Sequence, residues 1–163
     1  MFSPFLMRQA ERLLDQARAR HVLIATAESC TGGLVAALLT SIAGSSDVFE
    51  RGFVTYSNKA KMEELNVPTA LLKQYGSVSE PVARAMAEGA LHASQATLSV
   101  ALTGVAGPGG GTEDKPVGLV HIAAALAGRE TEHLECRFGD IGREAVRIAS
   151  VEQALSLLRH MLS

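Results

Sequence analysis

The sequence has no surplus of positive charge, no long apolar run and few thiols. With 15 Lys and Arg against 17 Asp and Glu, the formal net charge is −2 and the sequence pI is about 6.2. That balance supplies no basic footprint for a phosphate backbone, so no nucleic-acid partner is expected. No stretch reaches the roughly 18 to 20 apolar residues of a membrane span. The opening residues Met1 to Arg8 also lack the charged-then-apolar order of a signal peptide. A soluble cytoplasmic protein with no membrane partner is the expectation. The two cysteines, Cys30 and Cys136, lie far apart without metal-type spacing or a disulfide framework, and free thiols are expected. There is no H-x-x-x-H, no tight carboxylate cluster and no cysteine pair, so neither a catalytic metal nor another cofactor is expected.

Two nucleotide signatures are missing as well. The glycine-rich stretch Thr103 to Thr112 is not followed by Lys-Ser or Lys-Thr at the Walker A offset, and it leads into a strand. For the same reason it is no dinucleotide fingerprint, which must open a helix. By itself it reads equally as a long surface turn. The five histidines are scattered over predicted strands and helix faces, which leaves a Ser-His-Asp arrangement without support.

What the sequence does have is 163 residues at 47% hydrophobic content, enough for one domain with a sizeable core. Its organising stretch is Ala27-Glu28-Ser29-Cys30-Thr31-Gly32-Gly33. Val22 to Ala25 reads as a short buried strand ahead of it, and Leu34, Val35, Leu38 and Leu39 recur at helical spacing behind it. A hydroxyl and a thiol thus meet a predicted helix N-terminus, where unpaired N–H groups can hold an anion or an oxyanion. The plainer alternative is that Ser29 or Thr31 caps the helix and the glycines permit the turn.

The remaining pattern predicts helices over about 4–20, 58–65, 69–74, 79–90 and 142–161. Strands are predicted over 49–56, 97–102, 118–126 and 131–138, the last two joined as a hairpin. Helices alternating with strands early and a hairpin late specify a three-layer α/β/α fold on a mixed, mainly parallel five-stranded sheet. Ligands in such sheets bind beyond the carboxyl ends of the strands, so Ser29, Tyr56 and Thr103 should converge on one crevice. Lys61 follows Tyr56 by five residues. A lysine there is most simply a solvated helix residue, although a dry or cationic setting would lower its pKa and make it a base. A thiol at a helix N-terminus can be nucleophilic too, which keeps Cys30 in view.

Taken in order, A-E-S-C-T-G-G at 27–33, G-S-S-D-V-F at 44–49, Y-S-N-K-A-K at 56–61, T-G-V-A-G-P-G-G-G-T at 103–112, K-P-V-G at 115–118 and Arg143 resemble the CinA C-terminal family, the nicotinamide-nucleotide amidohydrolases. The resemblance implies one amidohydrolase domain over 1–163. It also implies a metal-free hydrolysis of nicotinamide mononucleotide to nicotinate mononucleotide and ammonia, in pyridine-nucleotide salvage. Carried over by motif, Ser29 corresponds to the nucleophile, Lys61 to its base and Tyr56 to a helper. Cys30, Thr31, Gly32, Thr103, Gly104 and Arg143 correspond to substrate-lining positions. Many family members carry this unit behind a larger N-terminal domain, so the chain looks like the stand-alone form, expected as a homo-oligomer, most simply a dimer. The resemblance also leaves open a non-catalytic nucleotide-binding or regulatory module linked to competence or DNA-damage responses.

Overall fold

Along Leu98-Ser99-Val100-Ala101-Leu102-Thr103, large apolar residues alternate with small ones, and a strand sends the two sets to opposite faces of its sheet. In the computed structural model, which describes residues 1–163, this segment is the central strand β3 (Leu98–Gly104). It pairs with β1 (Ile24–Glu28) on one side and β4 (Leu119–Leu126) on the other. Strands β2 (Phe49–Val54) and β5 (Glu132–Arg137) form the edges, giving the order β2-β1-β3-β4-β5. The β1–β2 and β1–β3 pairings are parallel; β3–β4 and β4–β5 are antiparallel. Every strand except β4 therefore runs the same way.

Helices cover both faces. On one side α1 (Pro4–Ala19), α2 (Leu34–Thr40) and α6 (Arg143–Met161) pack on the Leu98, Val100, Leu102, Val120 and Ile122 side chains. On the other side α5 (Glu80–His92) lies on the small side chains, with α3 (Asn58–Leu65) and α4 (Thr69–Tyr75) packed against it. Serine caps start three of these helices: Ser3, Ser57 and Ser79 accept from the N–H groups of Leu6, Ala60 and Val82.

Two strands run further at their carboxyl ends than expected, while β2 stops at Val54 and leaves Tyr56 beyond it. The first strand begins at Ile24 and runs on through Glu28, because Ala27 and Glu28 still pair with β2 and β3. Likewise β3 extends to Gly104, which pairs with Val120. Both extensions lengthen the strands at their carboxyl ends, and that is where the crevice lies. No helix is long and apolar enough to cross a membrane.

Candidate active site

Because side chains alternate along β1, Glu28 and Ser29 leave the strand end toward opposite faces. The Ser29 N–H donates to the Leu102 carbonyl at 2.9 Å, and the Ser29 carbonyl accepts from the Gly32 N–H at 3.0 Å, closing a tight turn. Gly32 and Gly33 follow with φ of +59° and +97°, in the left-handed region that favours glycine. Helix α2 starts only at Leu34. Neither Ser29 nor Thr31 caps it, which corrects the simpler expectation. The helix start is instead satisfied by the buried Glu28 carboxylate, which accepts from Val35 N at 2.9 Å and Ala36 N at 3.1 Å. Thr31 Oγ1 also donates to this carboxylate, at 2.7 Å. The acceptor at this helix terminus is thus part of the protein, so the terminus is not open to an oxyanion as the sequence suggested. Burial raises the Glu28 pKa, while its bonds to Val35, Thr31 and Ala36 act the other way.

Ser29 itself faces the other side. Lys61 Nζ lies 3.0 Å from Ser29 Oγ and donates to the Thr55 carbonyl at 2.9 Å. The Ser57 cap begins α3 in such a way that Lys61 falls on its inner face, and only 1% of the residue is exposed. The expectation of a solvated lysine is corrected here: the ammonium has no carboxylate beside it, and burial lowers its pKa from the ordinary lysine value. Cys30 behaves in the opposite sense to a nucleophilic thiol. Burial pushes it up to about 11, so it is protonated near neutrality.

Ser29, Cys30, Tyr56, Lys61, Thr103, Gly104 and Arg143 all line one crevice of about 290 Å³, at the small end of the range for ligand clefts. The convergence expected at the carboxyl ends of the strands is what the structure has. Thr31 and Gly32 are not on the crevice wall. Thr31 is fully buried with its hydroxyl on Glu28, while the Gly32 N–H is taken up by Ser29. Thr103 Oγ1 donates to the Ser77 carbonyl at 2.8 Å, tying the end of β3 to the loop before α5. Gly104 is glycine because a Cβ would stand 2.7 Å from the Leu119 carbonyl oxygen, so the close approach expected at this loop is to β4. Tyr56 is 63% exposed at the mouth; its hydroxyl accepts from Arg143 Nη2 at 3.1 Å, and Arg143 Nη1 donates to the Gly107 carbonyl at 2.8 Å. Tyr56 is therefore bonded to Arg143, and the Ser29–Lys61 pair makes its contact without it.

Sequence reasoning missed four features. Ser77 and Val78 line the crevice but carry no motif. Glu28 stood inside the organising stretch, yet only strand alternation, read three residues further, could have sent it to the helix side. Arg147 donates from Nε and Nη2 to the carbonyls of Cys30 and Thr31 at 3.2 and 3.0 Å; its spacing of one helical turn from Arg143 was the available signal. His121 Nδ1 and His133 Nε2 are 2.8 Å apart on β4 and β5, although the histidines read as scattered. Neither lines the crevice.

Together these features define a three-layer α/β protein with a polar crevice of small-molecule size at the carboxyl edge of its sheet, holding a buried amine against a serine hydroxyl. Within that class the chain belongs to the CinA C-terminal domain family, whose model matches residues 7–162. It is 50% identical over 154 residues to the nicotinamide-nucleotide amidohydrolase PncC of Escherichia coli (strain K12), covering 94% of this chain and 92% of that protein. It is 52% identical over 155 residues to a CinA-like protein of Synechococcus sp. (strain RCC307), of whose length it spans 37%. Among solved structures, the competence/damage inducible protein CihA from Agrobacterium tumefaciens superposes with a TM-score of 0.98 at 47% identity. That match covers 100% of this chain and 99% of the other.

Proposed function

We propose that the protein is an amidase that hydrolyses the carboxamide of nicotinamide mononucleotide to nicotinate mononucleotide and ammonia, a salvage step in pyridine-nucleotide metabolism. The observation that carries the mechanism is the Lys61 amine, dry and 3.0 Å from Ser29 Oγ. The substrate comes from likeness to PncC. A neutral amine has one lone pair and two N–H bonds. With one N–H on the Thr55 carbonyl, the lone pair can receive the Ser29 proton.

In this mechanism Ser29 Oγ attacks the carboxamide carbon while its proton passes to Lys61 Nζ. The Cys30 backbone N–H, on the crevice wall, takes no acceptor from another residue of the protein and is the donor available to the oxyanion. Lys61 then protonates the amide nitrogen, the C–N bond breaks and ammonia leaves an acyl ester on Ser29. Water attacks that ester, gives a proton to Lys61, and the proton returns to Ser29 Oγ as the acid departs. Arg143 and Tyr56 at the mouth receive the ribose-phosphate end. Residues 1–163 hold the whole of this machinery within one domain, in the cytoplasm and without a metal or cofactor.

Ammonia release from nicotinamide mononucleotide tests the activity directly. Arg143→Ala should lower kcat/KM for the nucleotide about 10- to 100-fold, as expected for a lost hydrogen bond to a charged group. Nicotinamide riboside, which lacks the phosphate, should lose much less. Equal losses on the two substrates would remove Arg143 from the phosphate.

A further inference from the structure

The Ser29–Gly33 turn must do two things on the proposed mechanism, on which this inference rests. It aims Ser29 Oγ at Lys61, and it leaves the Cys30 N–H group unpaired. A free peptide would satisfy that donor by rotating, and two glycines in succession make rotation easy. The turn's own bonds, Gly32 N–H on the Ser29 carbonyl and Leu34 N–H on the Thr31 carbonyl, are reinforced by side chains from outside it. Two charged residues do so from the face of the sheet away from the crevice. Glu28 holds it from below, through Thr31 Oγ1 at 2.7 Å, with its carboxylate fixed in turn by Val35 N and Ala36 N. Arg147 holds it from above, with Nε on the Cys30 carbonyl at 3.2 Å and Nη2 on the Thr31 carbonyl at 3.0 Å. A guanidinium presents its donors in a fixed fork, so bonding two successive carbonyls fixes the peptides they belong to. With the Cys30 carbonyl held, the peptide on the other side of the same Cα, which carries the Cys30 N–H, has less freedom to turn.

We propose that Glu28 and Arg147 are positioning residues of the amidase: they clamp the Cys30–Thr31 segment so that the Cys30 N–H stays aimed at the oxyanion and Ser29 stays aimed at Lys61. Neither residue lines the crevice, so both act through the turn. The clamp works on the transition state more than on substrate binding, because the oxyanion exists only there.

The test uses the full chain with nicotinamide mononucleotide as substrate, comparing Arg147→Ala, Arg147→Lys and Thr31→Val with wild type. Circular dichroism and thermal midpoints establish that each variant is folded. Arg147→Ala should lower kcat about 100-fold, the scale of losing one oxyanion donor, with KM changed by less than about threefold. The pH midpoint of kcat should stay where Lys61 sets it. Thr31→Val, which keeps the side-chain shape and removes only the donor to Glu28, should show a smaller loss with the same split; it serves if Arg147→Ala does not fold. Arg147→Lys, which can reach one carbonyl at a time, should fall between wild type and alanine. A raised KM with unchanged kcat would make Arg147 a substrate contact and overturn the proposal. So would a full kcat, or a shifted pH midpoint. Ser29→Ala is the control for the mechanism beneath: persistent turnover in it would overturn the serine reading and the clamp together, whereas loss there with none in Arg147→Ala overturns the clamp alone.

Discussion

On the face that carries α1, α2 and α6, the sheet presents Ile24, Leu98, Val100, Leu102, Val120 and Ile122; on the face that carries α5, the same strands present Ala25, Ala27, Ser99, Ala101, Ala123 and Ala125. The first face is filled by volume, and the second by close approach. Small side chains let α5 lie near the strands, and α3 packs on α5 near enough that a Cβ on Gly89 would stand 2.0 Å from the Leu65 carbonyl oxygen. That closeness is what buries Lys61, which sits on α3 one turn before Leu65. A bulky layer on this face would hold α3 outward and leave the amine in water. The contrast teaches that one side of the sheet is filled by bulk and the other is built for placing one buried amine against a serine hydroxyl.

The sharpest way to break this division is to remove the Ser29–Lys61 pair. Ser29→Ala and Lys61→Met should each lower turnover by on the order of 10³ or more, and the double variant should be hardly worse, since the two act as one unit. Rate should rise with pH as the Lys61 amine loses its proton, with a midpoint below the ordinary lysine value of about 10.4. Stability moves in the same sense. The folded-state pKa is lowered, so between the folded and unfolded values the unfolded chain binds the extra proton, and stability rises with pH through that window. Lys61→Met should flatten this dependence and hold or raise the thermal midpoint at pH 7. A variant that was inactive and also much less stable would mean that the lysine is structural. Near-normal turnover with an unchanged pH profile would remove it as the base.

The opposite experiment lies on the bulky face. Leu98 is fully buried at the far end of β3, six residues or roughly 20 Å along the strand from Gly104. Leu98→Ala should destabilise by about 2 to 5 kcal/mol, read from denaturant midpoints, while turnover per folded molecule stays near wild type. A comparable loss of kcat would show that the two faces are not separable.

Gly89→Ala tests the seam between packing and chemistry. In an isolated helix alanine is better than glycine by about 1 kcal/mol. Here the new methyl meets the Leu65 backbone, so α3 must move, at a cost on the order of 1 to 3 kcal/mol for an overpacked site. Because Lys61 rides on α3, its 3.0 Å contact with Ser29 should lengthen and kcat should drop along with stability. Stability lost without any change in kcat would show that this packing does not set the Lys61–Ser29 contact.

Much of this was readable in the residues. The alternation in β3, the serine caps at Ser57 and Ser79, the hairpin at 127–130 and the meeting of Ser29, Tyr56 and Thr103 all follow from local periodicity and from the rule for strand ends. What was not readable depends on contacts distant in sequence. Whether Lys61 is wet or dry is decided by Thr55, Ser29 and the approach of α5. The roles of Glu28 and Arg147 depend on α2 and α6 meeting one turn from two directions. His121 and His133 come together only once the register of β4 on β5 is set.

The smallest effect should be at Cys30, and it separates two groups next to Ser29 that could supply a pH-dependent rate. Cys30 sits beside Ser29 with 6% of its surface exposed, and its thiol is held at about 11 by burial. At pH 7 to 9 it is a small apolar side chain with its proton in place, so it contributes packing and no charge. Lys61, also desolvated, moves the other way, because for an amine the charged form is the protonated one. The rising limb of the pH profile should then belong to the amine alone. Cys30→Ala should keep kcat within about threefold and leave that limb in place, while losing up to about 1 kcal/mol of stability for the missing sulfur atom. Iodoacetamide at pH 7.5 should label the wild-type protein slowly at this position, since alkylation needs the thiolate. Rapid labelling that abolished turnover, together with loss of the limb in Cys30→Ala, would move the titration to sulfur and reverse the assignment of the two groups.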